Sequence, residues 1–441
     1  MYGVFLLSSF PLFLKLESLY VQLQVVTVMA IVIVISLTGP RAAAFRHLIL
    51  YPPIQVLHAS MAPPWIFTIL LLLLGSVAGD CECGYSTTTG SDDTRHVFTD
   101  LHETDFIHVD VTGDGKGGAS HGWAPQGYNI SSQASRGPFG ESFAVRNVMS
   151  NTIKSPNTFD GPGTLGLDAG LLLLVRNVKE EDRVPVAEIS TTGLDYFYGT
   201  FRASIKTTDA PGTCSAFFWY QNDTQEIDIE FLSAEFDKAK GIFPVNFVLQ
   251  SEEAAAAGYN AANTTGLRRV NLPFDPSTGF HEYRFDFLHD KVSFYADGEL
   301  LVEATGSGVP TTPGHLLLSH WSNGNPGWSQ GPPTVDAVTT VSYVKAYFNS
   351  SLEQRQRDFA LRCKDPTASG AVCAIPDHNA TFFFSNGDNL TPNQTDYGGP
   401  DNGEVDGGGK GDGEGENGAG VLVAQIWAFW LTMVIILYAS F

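Results

Sequence analysis

The run Glu226, Ile227, Asp228, Ile229, Glu230 constrains this chain more than any other stretch, because strict alternation is a strand period that sends three carboxylates to one face and two isoleucines to the other. Three acids in register are unfavourable on a packed sheet and are retained where their charge is used. The flanks make the run part of a sheet: upstream, Cys214–Tyr220 is aromatic and strand-like, and downstream Phe231 and Leu232 prolong the apolar face. Taken alone, the five residues also fit a half-exposed edge strand with a solvated acidic face.

At about 3.3 Å per residue the two glutamate Cα atoms lie roughly 13 Å apart, and leaning side chains close that to the ~5.5 Å carboxyl separation used in double displacement at a glycosidic bond. A carboxyl group beside two other anions has a raised pKa and stays protonated as a general acid while its partner stays ionised. The shorter Asp228 leaves room between them.

The rest of the chain also reads as β-structure. Gly 45, Pro 24 and 12% aromatic residues suit many short strands joined by turns. Asp297–Gly298, between two alternating apolar runs, is a tight hairpin signal, and His289–Asp290 marks a second turn. The expected fold is all-β, a two-sheet β-sandwich jelly roll whose curved inner face forms an open cleft for a polymer.

These motifs resemble the glycoside hydrolase family 16 β-glucanases, whose signature is Glu-x-Asp-x-Glu on a concave strand. Tyr198–Lys206, Gly212–Thr213 and the aromatic strand before the acids are similar to the first catalytic half of bacterial lichenases. Phe280–Phe287, Val292–Glu299, Val309–Gly314 and His320–Gly324 are similar to the second half, in the family's order, over most of residues 190 to 348. The resemblance implies a concanavalin A-like lectin/glucanase fold, Glu226 as nucleophile, Glu230 as acid/base, and Asp228 as the residue that holds the nucleophile and tunes the pair. One residue separates Asp228 from Glu230, the regular-strand form of lichenases, plant xyloglucan enzymes and fungal chitin-glucan cross-linking enzymes. Many laminarinases carry a bulge there, so a purely β-1,3 specificity is less favoured. Trp219 and Trp321 are candidate sugar platforms, each with a core position as the alternative, and Asn246 resembles a polar cleft position on the next strand.

The ends of the chain fall outside that fold. Residues 61–79 read as a signal peptide, with small residues at the cleavage point and no basic n-region. Residues 1–60 are expected to be a gene-model extension with translation starting at Met61, the alternative being a genuine amino-terminal signal anchor. The catalytic sandwich is expected over 80–350, a disulfide-containing extension over 351–395, a Gly/acidic spacer over 396–420, and a hydrophobic tail over 421–441. No Lys or Arg follows that tail, which favours a glycosylphosphatidylinositol anchor attached among Asp406, Gly407, Gly408 and Gly409 over a single membrane span.

Five cysteines suit an oxidising compartment. Cys363 and Cys373 are the most natural pair, leaving Cys81, Cys83 and Cys214 with an odd thiol; a metal site at Cys81 and Cys83 lacks a partner pair at zinc spacing. Seven Asn-x-Ser/Thr sequons, at Asn129, Asn222, Asn263, Asn349, Asn379, Asn389 and Asn393, fit secretion. A net charge of −22, much of it in the spacer, excludes nucleic acid as partner and leaves a neutral glucan compatible. Asp110–Gly115 departs from a calcium loop, with His121 at the twelfth position, and reads as a glycine-rich turn. No cofactor is required, although the resemblance admits a structural calcium ion on the convex side.

The expected protein is therefore a secreted, cell-surface enzyme, a monomer acting on β-1,3/β-1,4-glucan or a related cell-wall polysaccharide. A cell-wall glucan/chitin transglycosylase on the same site is the first alternative. A non-catalytic carbohydrate-binding protein is the second.

Overall fold

The computed structural model describes residues 81–113, 118–258, 264 and 266–386. The expected signal peptide, spacer and anchor tail, and the sequons at Asn263, Asn389 and Asn393, lie outside them.

The acid-bearing segment forms the strand Gln225–Leu232, paired antiparallel with Cys214–Asn222 on one side and Pro244–Gln250 on the other. Its alternation is used as the sequence implies: Ile227, Ile229 and Phe231 enter the core and the acids take the opposite face. The sheet continues through His315–Trp321 to Arg183–Thr191 and, beyond it, Gly140–Phe143 and Tyr128–Ile130; on the other flank it ends at Leu267–Asn271. Against it packs a second sheet in the order Glu299–Thr305, Lys291–Ala296, His281–Phe287, Tyr196–Lys206, Ala337–Ser350, Gly170–Val175, Val148–Asn151. The expected two-sheet sandwich is what the chain forms.

Aromatic side chains of the two inner faces interlock. Phe217 meets Phe285 at 5.2 Å, Trp219 meets Phe287 at 5.0 Å, Phe231 meets Tyr283 at 4.6 Å and Phe247 stacks on Phe294 at 4.6 Å. Each ring withdraws roughly 1.5–3 kcal/mol worth of apolar surface from water and each pairing adds about 1 kcal/mol. The hairpin at Asp297–Gly298 turns with φ of 47° and 83°, both in the left-handed region that an Asp-Gly pair tolerates.

The outer face of the second sheet carries charge and is roofed. Arg202, Glu282, Arg284 and Lys345 are buried there. Over them lies a small sheet made of the hairpin Tyr85–Thr89/Thr94–Phe98 and the short strand Cys373–Ala374. Arg202 donates to the Pro376 carbonyl, Arg284 to that of Thr88, and Lys345 to those of Asn379 and Phe382. The disulfides are Cys81–Cys373 and Cys83–Cys363, and Cys214 is a buried thiol outside both. The expected Cys363–Cys373 pairing is therefore corrected: the extension is bonded to the start of the described chain rather than to itself, because both segments cover the same sheet face. The helix Glu353–Arg362 is anchored through the buried Arg355, which lies 3.5 Å from Asp100 and 3.3 Å from Asp195.

Among the described residues no helix is long and apolar enough to cross a membrane. No group of three or more His, Cys, Asp or Glu side chains among them converges as a metal site would require. Asp110 is engaged by its own turn, accepting from the Thr112 and Gly113 amides and the Thr112 hydroxyl.

Candidate active site

Register places side chains in rows running across the strands of the first sheet. One row is Asn246, Glu230, Ala216, Ser319, Glu188; the next is Val248, Asp228, Phe218, Leu317, Ser190; the third is Gln250, Glu226, Tyr220, His315. All face away from the core, since the intervening row of Phe247, Ile229, Phe217, Leu318 and Ile189 is the core itself. The three acids and Asn246 are thus brought together as expected, with Asn246 directly opposite Glu230.

Trp219 is not with them. It has the parity of Phe217, is 0% exposed, and donates its indole N–H to the Tyr196 carbonyl at 3.0 Å. The proposed sugar platform at Trp219 is corrected to a core residue, because the acids lie opposite Ala216, Phe218 and Tyr220 and the odd positions of that strand point inward. Trp321 lies opposite Cys214 on the cleft side and lines a small hollow of about 60 Å³.

That hollow exists because the row of Glu230 continues through two small residues. Ala216 and Ser319 form its floor with Phe218, and Glu141, Glu188 and Trp321 stand around it. Tyr128 donates to Glu188 at 2.8 Å and stacks on Phe143 at 4.5 Å. Burial, with the neighbouring Glu188 carboxylate, holds the Tyr128 hydroxyl well above its ordinary pKa, so it remains a donor. Burial also holds His315 at about 4, so this ring at the end of the Glu226 row is neutral at pH 7.

The acids are less open than a solvated strand face would make them. Glu226, Asp228 and Glu230 are 2%, 3% and 7% exposed. Glu230 borders the hollow through Ala216, whereas Glu226 and Asp228 lie beside the larger Tyr220 and Phe218. Burial of this kind gives a carboxylate a strong field and excludes water from it.

Trp328 escaped the sequence reading. Its indole nitrogen donates to Glu230 Oε2 at 3.1 Å, and on the other carboxyl oxygen Cys214 Sγ lies 3.5 Å from Oε1. The loop that delivers Trp328 is pinned internally. Trp328 N–H and Gln330 N–H both donate to the Asn325 carbonyl, while Asn323 accepts from Asn325 N–H and Ser329 Oγ. Asn323 and Asn325 further bond the carbonyls of Ser135 and Arg136. Gly324 has φ of 75°, and a Cβ there would stand 2.7 Å from the Phe139 ring, so this position requires glycine. An Asn/Gly-rich loop has no periodicity that aims one of its side chains; only the presence of a tryptophan within it was a signal.

Sandwich and site together define a class: β-sandwich proteins with an acidic trio on the outward face of one sheet, beside a small hollow. Residues 177–343 match the Glycosyl hydrolases family 16. A beta-glucanase of Paenibacillus polymyxa is 34% identical over 133 residues, covering 29% of this chain and 49% of that protein. The Congo red hypersensitive protein 1 of Saccharomyces cerevisiae is 28% identical over 158 residues, covering 34% of this chain and 29% of that protein. Among solved structures, a Bacillus licheniformis beta-glucanase aligns with 56% of this chain and 97% of its own at 19% identity and a TM-score of 0.40. The chain spans about half the length of the curated beta-glucanases it matches.

Proposed function

We propose that this protein is a retaining glycosidase acting on β-1,3/β-1,4-glucan or a related wall polysaccharide. The observation that carries the reading is the row Asn246, Glu230, Ala216, Ser319, Glu188, which sets a hollow beside one carboxyl group of an adjacent trio. In the first step Glu226 attacks the anomeric carbon while Glu230 passes a proton to the departing glycosidic oxygen, giving a covalent glycosyl-enzyme. In the second, Glu230 takes a proton from an incoming hydroxyl, which displaces Glu226 and restores the starting configuration. Asp228, between them on the same face, orients Glu226. Trp321 supplies an apolar face to a pyranose ring, and Asn246 a hydrogen bond from the row of Glu230. Two disulfides among the described residues favour an extracellular setting. Attachment to the cell surface through a lipid anchor belongs to the same proposal.

A second reading concerns the acceptor. Glu226 is 2% exposed and the neighbouring row is apolar at Val248, Phe218 and Leu317, which restricts water and favours transfer to another glycan hydroxyl. The test compares mixed-linkage glucan, laminarin and chitin oligomers, with and without a labelled acceptor oligosaccharide, for the wild type beside Glu226→Gln and Glu230→Gln. Products that retain the anomeric configuration and vanish in both variants are expected, and elongated labelled products identify transfer. Inverted products, or unchanged turnover in both variants, overturn the proposal.

A further inference from the structure

We infer that Trp328 is a positioning residue for Glu230: its indole N–H reserves Oε2 as an acceptor and leaves Oε1, the oxygen facing Cys214, as the one that carries the transferable proton. The inference rests on the acid/base role proposed for Glu230. An indole nitrogen can donate a hydrogen bond and cannot accept one. A proton on Oε2 would point at the indole hydrogen 3.1 Å from heavy atom to heavy atom, so the neutral carboxyl group places its proton on Oε1. The thiol 3.5 Å from Oε1 is a weak partner that either donates to that oxygen or accepts from it, and so tolerates both protonation states. The proton is thereby held on a defined oxygen without being bound tightly. The pinned loop and the Asn323 and Asn325 contacts to residues 135 and 136 fix the indole before any glycan arrives.

The effect on the pH profile follows from the sign of the interaction. Donation to Oε2 favours the ionised carboxylate, so removing it makes Glu230 hold its proton to higher pH. The other ionisable groups around Glu230 include Glu226 and Asp228 on its own strand, Cys214 on one neighbour, Arg269 paired with Glu235 beyond Asn246 on the other side, and Arg136, Glu141 and Glu188 around the hollow. All of these are untouched when Trp328 alone is changed.

The experiment is Trp328→Phe, which keeps an aromatic ring and deletes the N–H. The expected result is a fall in kcat of about tenfold with KM within about twofold, and a shift of the alkaline limb of kcat/KM upward by about one pH unit, the size of a lost hydrogen bond to a charged group. Glu230 is also titrated directly by 13C NMR, using Glu230→Gln to assign its carboxyl resonance, and moves in the same direction. An indole N–H resonance of Trp328 that follows the Glu230 titration in the wild type, and loses that inflection in Glu230→Gln, provides the same test without a Trp328 variant. An unmoved limb and titration overturn the inference, as does a raised KM at constant kcat, which would make Trp328 a sugar platform. If no glycan is cleaved, the function proposal fails by itself, while the NMR titration still decides the Trp328 contact.

Discussion

Two tryptophans on neighbouring strands show how much a single residue's role depends on parity. Trp219 and Trp321 are alike in the sequence, both aromatic beside an apolar strand, yet one is sealed in the core against Phe287 and the other borders the hollow. Their substitutions should separate cleanly. Trp219→Ala is expected to lower stability by about 3–5 kcal/mol in urea unfolding while the KM of the folded fraction changes little. Trp321→Ala is expected to raise KM about tenfold, roughly 1.4 kcal/mol of lost binding, with a small change in melting temperature. The opposite pattern in either would contradict the assigned faces. The acids were legible because five residues of alternation fix which side chains travel together. What alternation does not fix is which face points outward on the neighbouring strand, and that is why Trp219 was misplaced. The reach of Trp328 depends on a loop folded by Asn323 and Asn325, which no local pattern encodes.

At the scale of elements, the hairpins were written into the chain and the cap was not. Asp297–Gly298 and His289–Asp290 join strands adjacent in sequence, so local turn chemistry specifies them. The disulfides link residues 292 and 280 positions apart, a separation about which a sequence holds no local information. Their nesting has a thermodynamic consequence. With Cys81–Cys373 closed, Cys83–Cys363 closes only a further ring of about a dozen residues, worth about 3 kcal/mol by chain entropy, whereas whichever bridge remains alone closes a ring worth about 5–6 kcal/mol. Removing either bridge by Cys→Ser pairs is therefore expected to lower unfolding free energy by about 3 kcal/mol, and removing both by about 8 kcal/mol. Guanidinium unfolding of the three variants checks this; additive losses would mean the cap does not act as one closed ring.

The molecule as a whole should be sensitive to mild acid. His102, His315 and His320 are each held at about 4 by burial, below their ordinary 6.5. With folded values depressed, the unfolded chain takes up these protons first, so stability is intact above about pH 6.5 and declines as the pH falls toward 4. At pH 4.5 each contributes a loss on the order of 2 kcal/mol, while Glu103, raised by burial, pulls the other way. A melting temperature about 10 °C lower at pH 4.5 than at pH 7 is expected by calorimetry, and a flat profile would contradict the neutral buried rings. On this scale the sandwich was legible, because alternating strands and turn residues agree along most of the chain, while the roof over the second sheet was not, since its charged contacts form between distant segments. The central claim, that Glu226 forms a covalent bond to sugar, is tested most directly by trapping. Incubation with an activated 2-deoxy-2-fluoro-β-glucan oligosaccharide followed by peptide mass spectrometry should place one glycosyl adduct on Glu226; an adduct on another residue, or none in protein that turns over the unfluorinated glycoside, would contradict it.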